Sequence, residues 1–193
     1  MPAIDAGLRP DREAAVGNGA RLPLRVWLRL LTCVSMIESV VRVRLHTQFA
    51  TTLPRFDVLA ALDAAGTDLT MGVLSTRLMV TGGNVTGLIK AMEKDGLVIR
   101  RRHPDDRRST LICTTEAGRV LFARMAPAHA RWIEWAMAGL DRKEVGLLWQ
   151  VLGDLKASVG RSTQDASAGD GGPQSAAVVS RPASFDPGKD VVE

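Results

Sequence analysis

Tyrosine is absent from this 193-residue chain, and cysteine and histidine are scarce, with two and three copies. Cys33 and Cys113 lie far apart and each is flanked by apolar residues, so they read as reduced, partly buried thiols rather than a disulfide framework. His46, His103 and His129 share no ligand spacing with either cysteine, which leaves no zinc site and no metal expectation. A phosphate-cradling glycine loop and a nucleophile elbow are both missing, and no base–nucleophile pair can be named. The expectation is therefore a protein that is not an enzyme, without catalytic residues or a cofactor. No run of about 18 apolar residues occurs, which excludes a spanning helix of the usual length and a membrane partner. Asp5, Asp11 and Glu13 interrupt the N-terminal segment, so a secretory leader is not expected and a cytoplasmic address follows.

What is present begins with apolar residues. They make up 46% of the chain, enough to bury a core and to exclude wholesale disorder. The net charge of +4 and a pI near 9.6 are compatible with a polyanionic partner without demanding one. The distribution says more. Arg100, Arg101, Arg102, Arg107 and Arg108 crowd beside His103 in one short segment, either a phosphate-contacting patch or a solvated loop.

Residues 1–21 show no helical period and read as a mobile arm. Beyond them Trp27, Leu30, Leu31, Val34, Ile37, Val41 and Leu45 recur at three-and-four spacing, the stripe of a long amphipathic helix that needs a partner. Pro54 suits the first turn of a second helix, with Phe56, Leu59 and Leu62 inward and Gly66 at its end. Thr70 caps a short third helix that finishes near Met79, with Leu69 stapling to Leu74. A fourth helix starts within Thr81-Gly82-Gly83-Asn84 and carries Val85, Leu88, Ile89 and Met92 on one face. Gly96 then closes it in the left-handed conformation, with Leu97 packing back on Met92.

Two short helices in this arrangement form a helix-turn-helix pattern. Directly after it, Leu97–Arg100 and Ser109–Thr114 are β-rich runs on either side of a charged turn, a hairpin with a basic tip. A fifth helix begins at Thr115 and Glu116, and Pro127 within it is expected to kink or split it. Asp141 to Glu144 reads as a capping-box start for a last helix carrying Val145, Leu148, Trp149, Leu152, Leu155 and Val159. From residue 161 to 193 the Ser/Gly/Ala/Pro-rich composition reads as a disordered tail.

A helix-turn-helix followed by a basic hairpin is a winged helix. Its second short helix would enter the major groove, presenting Gly83, Asn84, Gly87, Lys90 and Lys94, with Thr81 and Thr86 flanking. Asparagine can pair with adenine, threonine with bases or phosphate, and lysine chiefly with phosphate. Gly82, Gly83 and Gly87 each cost up to about 1 kcal/mol against alanine in a helix, and close approach to another molecule would explain them. At the hairpin tip, Arg107 and Arg108 can reach the minor groove. Asp106 would repel DNA, so its sensible role is to orient Arg108 through a bidentate bond.

These residues resemble the MarR family of bacterial transcriptional regulators. The resemblance rests on Leu-Pro-Arg-Phe-Asp-Val-Leu at 53–59, on Leu-Ser-Thr-Arg-Leu-Met-Val-Thr-Gly-Gly-Asn-Val-Thr-Gly-Leu at 74–88, and above all on Asp-Arg-Arg-Ser-Thr-Leu-Ile-Cys-Thr-Thr-Glu-Ala-Gly at 106–118. It implies a mostly α fold with a small β-hairpin, a winged helix-turn-helix with long N- and C-terminal dimerisation helices. The family domain would occupy residues 22–160, with the DNA-reading part at 53–115 and the dimerisation helices at 22–48 and 116–160. A homodimer on a pseudo-palindromic double-stranded DNA operator follows, with Asp106 and Arg108 as the wing's paired residues. Val73 departs from an acidic residue common in the family. All four tryptophans, Trp27, Trp132, Trp135 and Trp149, fall on the terminal helices, which independently favours pairing of those helices.

By the same resemblance the chain is expected to be a repressor released by a small, phenolic or aromatic effector bound between stem and reading head. Met36, Arg42, His46 and Phe56 are the candidate contacts, Arg42 for a carboxylate and His46 for a phenol. The alternative is a thiol-based redox repressor acting through Cys33, a position on the first helix where some relatives carry the reactive cysteine. The absence of tyrosine removes the hydroxyl partners usual around such a thiol.

Overall fold

The computed structural model describes residues 21–78, 82–104, 106 and 109–168. The chain divides into two compact units, residues 1–139 and 140–193. The first contains α1 (Leu22–Phe49), α2 (Leu53–Ala65), β1 (Leu69–Thr70), α3 (Met71–Leu78), α4 (Gly82–Lys94), β2 (Val98–Arg102), β3 (Thr110–Thr114) and α5 (Glu116–Ala136). The second is α6 (Arg142–Ala168). The expected mobile arm lies outside the described residues, except for Arg21.

Local chemistry sets most boundaries. Pro54 sits in the first turn of α2 and Gly66 ends it at φ 62°, a backbone angle that glycine adopts without a Cβ penalty. Val73 N–H donates to the Thr70 hydroxyl at 3.3 Å, and Leu69 and Leu74 are both buried beside it, as a capped and stapled start requires. At the end of α4, Gly96 takes φ 69°. Leu97 N–H donates to the Met92 carbonyl at 2.9 Å and Gly96 N–H to Glu93 at 3.0 Å, the paired bonds of a Schellman cap. The end of α1 solves the same problem less comfortably, with Ala50 rather than glycine in the left-handed region at φ 50°.

One core serves the first unit. Val41 and Leu45 of α1, Phe56, Val58, Leu59 and Leu62 of α2, Leu74 of α3 and Val85, Ile89 and Met92 of α4 pack with Val98, Ile112, Met125, Ala128 and Trp132. The sheet has three antiparallel strands in the order β1-β3-β2. Val98 pairs with Thr114 and Arg102 with Thr110 in the hairpin, while Leu69 pairs with Ile112. The third strand, β1, is not expected from the sequence: two residues carry no period, and Leu69-Thr70 reads as a helix start.

The start of α5 is pinned by two adjacent features. The Thr115 hydroxyl accepts from Gly118 N–H at 3.0 Å and donates to the Gly96 carbonyl at 2.6 Å. A Cβ on Gly118 would stand 2.2 Å from the Leu97 carbonyl oxygen and 2.8 Å from the Thr114 methyl. Glycine there is a requirement of close packing. Pro127 does not split α5, contrary to expectation: one helix runs through it from Glu116 to Ala136. Pro127 and Ala123, whose carbonyl loses its donor, are both exposed, while Met125 and Ala128 are buried on the other side. Water can serve the orphaned carbonyl as the core holds the helix together.

In the second unit, Asp141 and Glu144 form the expected capping box. Asp141 N–H donates to the Glu144 carboxylate at 2.7 Å, and Glu144 N–H to the Asp141 carboxylate at 2.8 Å. The helix continues to Ala168, so the tail expected from residue 161 does not begin there. Ser162 and Thr163 turn their hydroxyls back onto the carbonyls of Ser158 and Val159 at 3.2 and 3.1 Å. These polar side chains are satisfied within the helix and do not break it. The rest of the expected tail, from residue 169, lies outside the described residues.

Candidate nucleic-acid interface

The two sides of α4 differ sharply. Val85, Ile89 and Met92 are each 0% exposed, and Leu88 is half-buried. Gly83, Asn84, Thr86, Gly87, Lys90 and Lys94 are all exposed. A Cβ added at Gly83 or Gly87 would meet nothing within 4 Å, so internal packing does not require glycine at either position. Thr81, expected to flank this face, lies outside the described residues.

Beside α4 stands the wing. Ile99 to Arg102 on β2 are exposed, with Arg101 opposite Leu111 and Arg102 opposite Thr110. Asp106 is exposed and its carbonyl accepts from Ser109 N–H at 3.0 Å, which helps close the turn. Arg107 and Arg108 lie outside the described residues, so the Asp106–Arg108 pair remains an expectation.

Sequence reasoning missed two ion pairs that tie α4 to its surroundings. Arg100 of β2 meets Glu93 at 3.4 Å, and Arg55 of α2 meets Asp95 at 2.6 Å. Both pairs are partly exposed, so each contributes less than about 1 kcal/mol to stability. Their electrostatic consequence is larger in kind: both carboxylates at the end of α4 are matched by arginines, which offsets charge that would oppose a polyanion. The signal was the order of residues in the 53–59 motif. Three consecutive residues face three different directions, with Arg55 on Asp95 just past α4, Phe56 on α5 and Asp57 facing α1.

Phe56 is buried, stacked on His129 with ring centres 4.5 Å apart and tilted against Phe122 at 5.7 Å. Burial holds the His129 pKa below its ordinary value, so the ring is neutral at pH 7. The Asp57 carboxyl is pushed up to about 6, chiefly by burial and then by the charge of Glu38, against the opposing pull of Arg42. Arg42 itself is ion-paired with Glu38 at 2.5 Å. Of the four expected effector contacts, Phe56 is part of the core, while Met36, Arg42 and His46 are exposed along α1. The Glu38–Arg42 pair, one turn apart on α1, is legible from i,i+4 spacing, whereas the burial of Phe56 against α5 is not.

The cysteines also separate. Cys33 is exposed and Cys113 buried. Burial, helped by a hydrogen bond to Asp68, pushes the Cys113 thiol up to about 11, leaving it protonated and unreactive at neutral pH. Among the described residues no helix is long and apolar enough to cross a membrane, and no group of three or more His, Cys, Asp or Glu could hold a metal ion.

A family model described as MarR family matches residues 51–109, the span from α2 through the wing. The transcriptional activatory protein BadR of Rhodopseudomonas palustris is 33% identical over 126 residues, covering 62% of this chain and 71% of BadR. The chain belongs to the MarR family. A second family relative, the HTH-type transcriptional repressor YetL of Bacillus subtilis, is 32% identical over 102 residues. That match spans 52% of this chain and 61% of YetL, under two thirds of its length. The MarR-type winged helix-turn-helix fold is shared with the structure of Bordetella bronchiseptica BpsR, whose DNA binding is regulated by 6-hydroxynicotinic acid. Its TM-score is 0.61 at 21% identity, covering 68% of this chain and 98% of BpsR.

Proposed function

We propose that this chain is a sequence-specific, double-stranded-DNA-binding transcriptional regulator of the cytoplasm, working as a homodimer on a pseudo-palindromic operator. The observation that carries the reading is the two-sidedness of α4. Its apolar side is fully used by the core, and the opposite side offers Asn84, Thr86, Lys90 and Lys94 beside a basic hairpin. Asn84 and Thr86 suit base edges, Lys90 suits phosphate, and Arg107 and Arg108 suit the minor groove, with Asp106 proposed to orient Arg108. Thr81 is proposed to flank this face.

Homodimerisation is supported by the apolar side chains that α1 and α6 leave exposed, among them Leu24, Trp27, Val34, Trp149, Leu152 and Leu155. Paired copies would bury them and set two reading helices one DNA turn, about 34 Å, apart. Repression with release by a small aromatic effector is the regulatory form proposed. It is supported by the nature of YetL and by the hydroxylated aromatic acid that regulates BpsR. A ligand acts here only by favouring a dimer shape whose reading helices miss the groove spacing. A carboxylate at α1 would have to displace Glu38 from Arg42, while Phe56 is buried and stacked on His129.

The test is fluorescence anisotropy against the intergenic duplex beside the chain's own gene, with a scrambled duplex at the same physiological salt. Affinity at least about a thousandfold above the scramble supports the reading. Equal weak binding to both, or no binding at low salt, overturns it. The redox alternative has one observation in its favour, the exposure of Cys33. Peroxide release that persists in Cys33→Ser rejects it.

A further inference from the structure

A cavity of about 240 Å³ opens between the C-terminal half of α2, the turn into β1, the end of β3 and the first turns of α5. Met36, Arg42, His46 and Phe56 are not on its wall, although Phe56 packs against the Phe122 that is. Leu59, Leu62 and Phe122 supply its apolar wall, and Asp63 and Asp68 its acidic one. Leu59 and Leu62 are buried, Phe122 and Asp68 half-buried, and Asp63 exposed. The cavity is therefore amphipathic, with its charge toward solvent.

Three facts give its electrostatic sign. Two carboxylates border it. Among the described residues the one basic group on its wall, Arg119, is bonded to the Glu116 carboxylate at 2.8 and 2.9 Å and to the Thr114 carbonyl at 3.0 Å, so its charge is offset. The α2 helix also ends at this point, at Ala65, and a helix C-terminus carries partial negative charge. An apolar cavity of about 150 Å³ is enough for a benzene ring. This one has space for such a ring and a short polar arm.

We propose that this cavity binds a small aromatic cation, an aryl-alkyl ammonium or amidinium, with its ring on Leu59, Leu62 and Phe122 and its charged head between Asp63 and Asp68. The anionic wall disfavours a carboxylate by like-charge repulsion and favours the cation by the same field. The site lies where the first helix of the reading head meets the strand that leads out of the wing. An occupant there biases the placement of the wing root against α2. That regulatory consequence rests on the DNA-binding reading; the binding site itself does not.

The experiment uses the full-length chain with benzylammonium chloride, and sodium benzoate and benzyl alcohol as charge and shape controls at matched ionic strength. Isothermal calorimetry and thermal unfolding read binding, and anisotropy with an operator duplex reads release. Saturable binding of benzylammonium is expected, at least tenfold tighter than either control. Asp63→Asn, at an exposed position, and Asp68→Asn should each weaken it at least tenfold. Glu116→Gln should weaken it too, by freeing the charge of Arg119. Equal or tighter binding of benzoate, no saturable benzylammonium binding, or undiminished binding in Asp63→Asn overturns the site. Binding without release rejects the regulatory role alone, whereas failure to bind any duplex rejects the DNA-binding reading and leaves the cavity result standing.

Discussion

The reading head and the terminal helices use the same amphipathic logic and finish differently. On α4 the apolar side is spent inside the chain, with Val85, Ile89 and Met92 wholly buried and the polar side facing out. On α1 and α6 the periodicity is as clear, yet Trp27 stays 56% exposed and Trp149 81%. A helix whose stripe is buried needs nothing further to be stable. One whose stripe remains exposed offers the surface on which the proposed homodimer would pair.

The sharpest way to break this contrast is to charge the exposed stripe. Trp149→Glu combined with Leu152→Glu is expected to turn the proposed homodimer into a monomer in analytical ultracentrifugation. DNA affinity should fall on the order of a hundredfold or more, since half the phosphate contacts of a two-site complex are lost. A variant that stays dimeric would assign α6 another role.

Within the first unit, Gly118→Ala is the strongest expected destabilisation. The added Cβ would clash with the Leu97 carbonyl, and urea unfolding should register a loss of about 3 kcal/mol. Arg108→Ala should leave unfolding unchanged and weaken operator binding by about 1–3 kcal/mol. Unaltered affinity would detach the wing from DNA reading.

The seam between α1 and α2 gives a smaller, pH-dependent effect. The Asp57 pKa is raised to about 6 in the folded protein from an ordinary 3.8. Its protonated form is thus the stabilising one, with the benefit complete below about pH 3.8 and lost as pH rises through about 6. Asp57→Asn should stabilise the fold at pH 7.5 by about 1–2 kcal/mol after allowance for solvent screening, and the gain should shrink toward pH 4. A pH-independent difference in chemical denaturation would refute the assignment. The smallest effect belongs to Ala50→Gly, expected to stabilise by about 0.5–1 kcal/mol by relieving a left-handed alanine. A loss of stability there would show that the Cβ of Ala50 packs usefully.

Legibility follows the range of the interaction involved. Thr70, Gly66, Gly96 and the Asp141–Glu144 box act within one turn of chain, and each was readable before any fold was known. The wing signature at 106–118 was equally readable, but its reason was not. Gly118 is held by Leu97, about twenty positions away, and only the folded chain brings them together. The same applies to Arg55 with Asp95, to His129 stacked on Phe56, and to the cavity between Leu59 and Phe122.

By itself the sequence determined the helices, their caps, the buried face of α4 and the basic hairpin, because periodicity and capping depend on neighbours a few residues apart. Tertiary structure decided the two-residue strand β1, the unbroken passage of α5 through Pro127, the stacking of Phe56 on His129 and the sign of the charge around the α2–α5 cavity. Those features depend on which distant groups share a small volume and on what water can still reach, and neither quantity is written in local spacing.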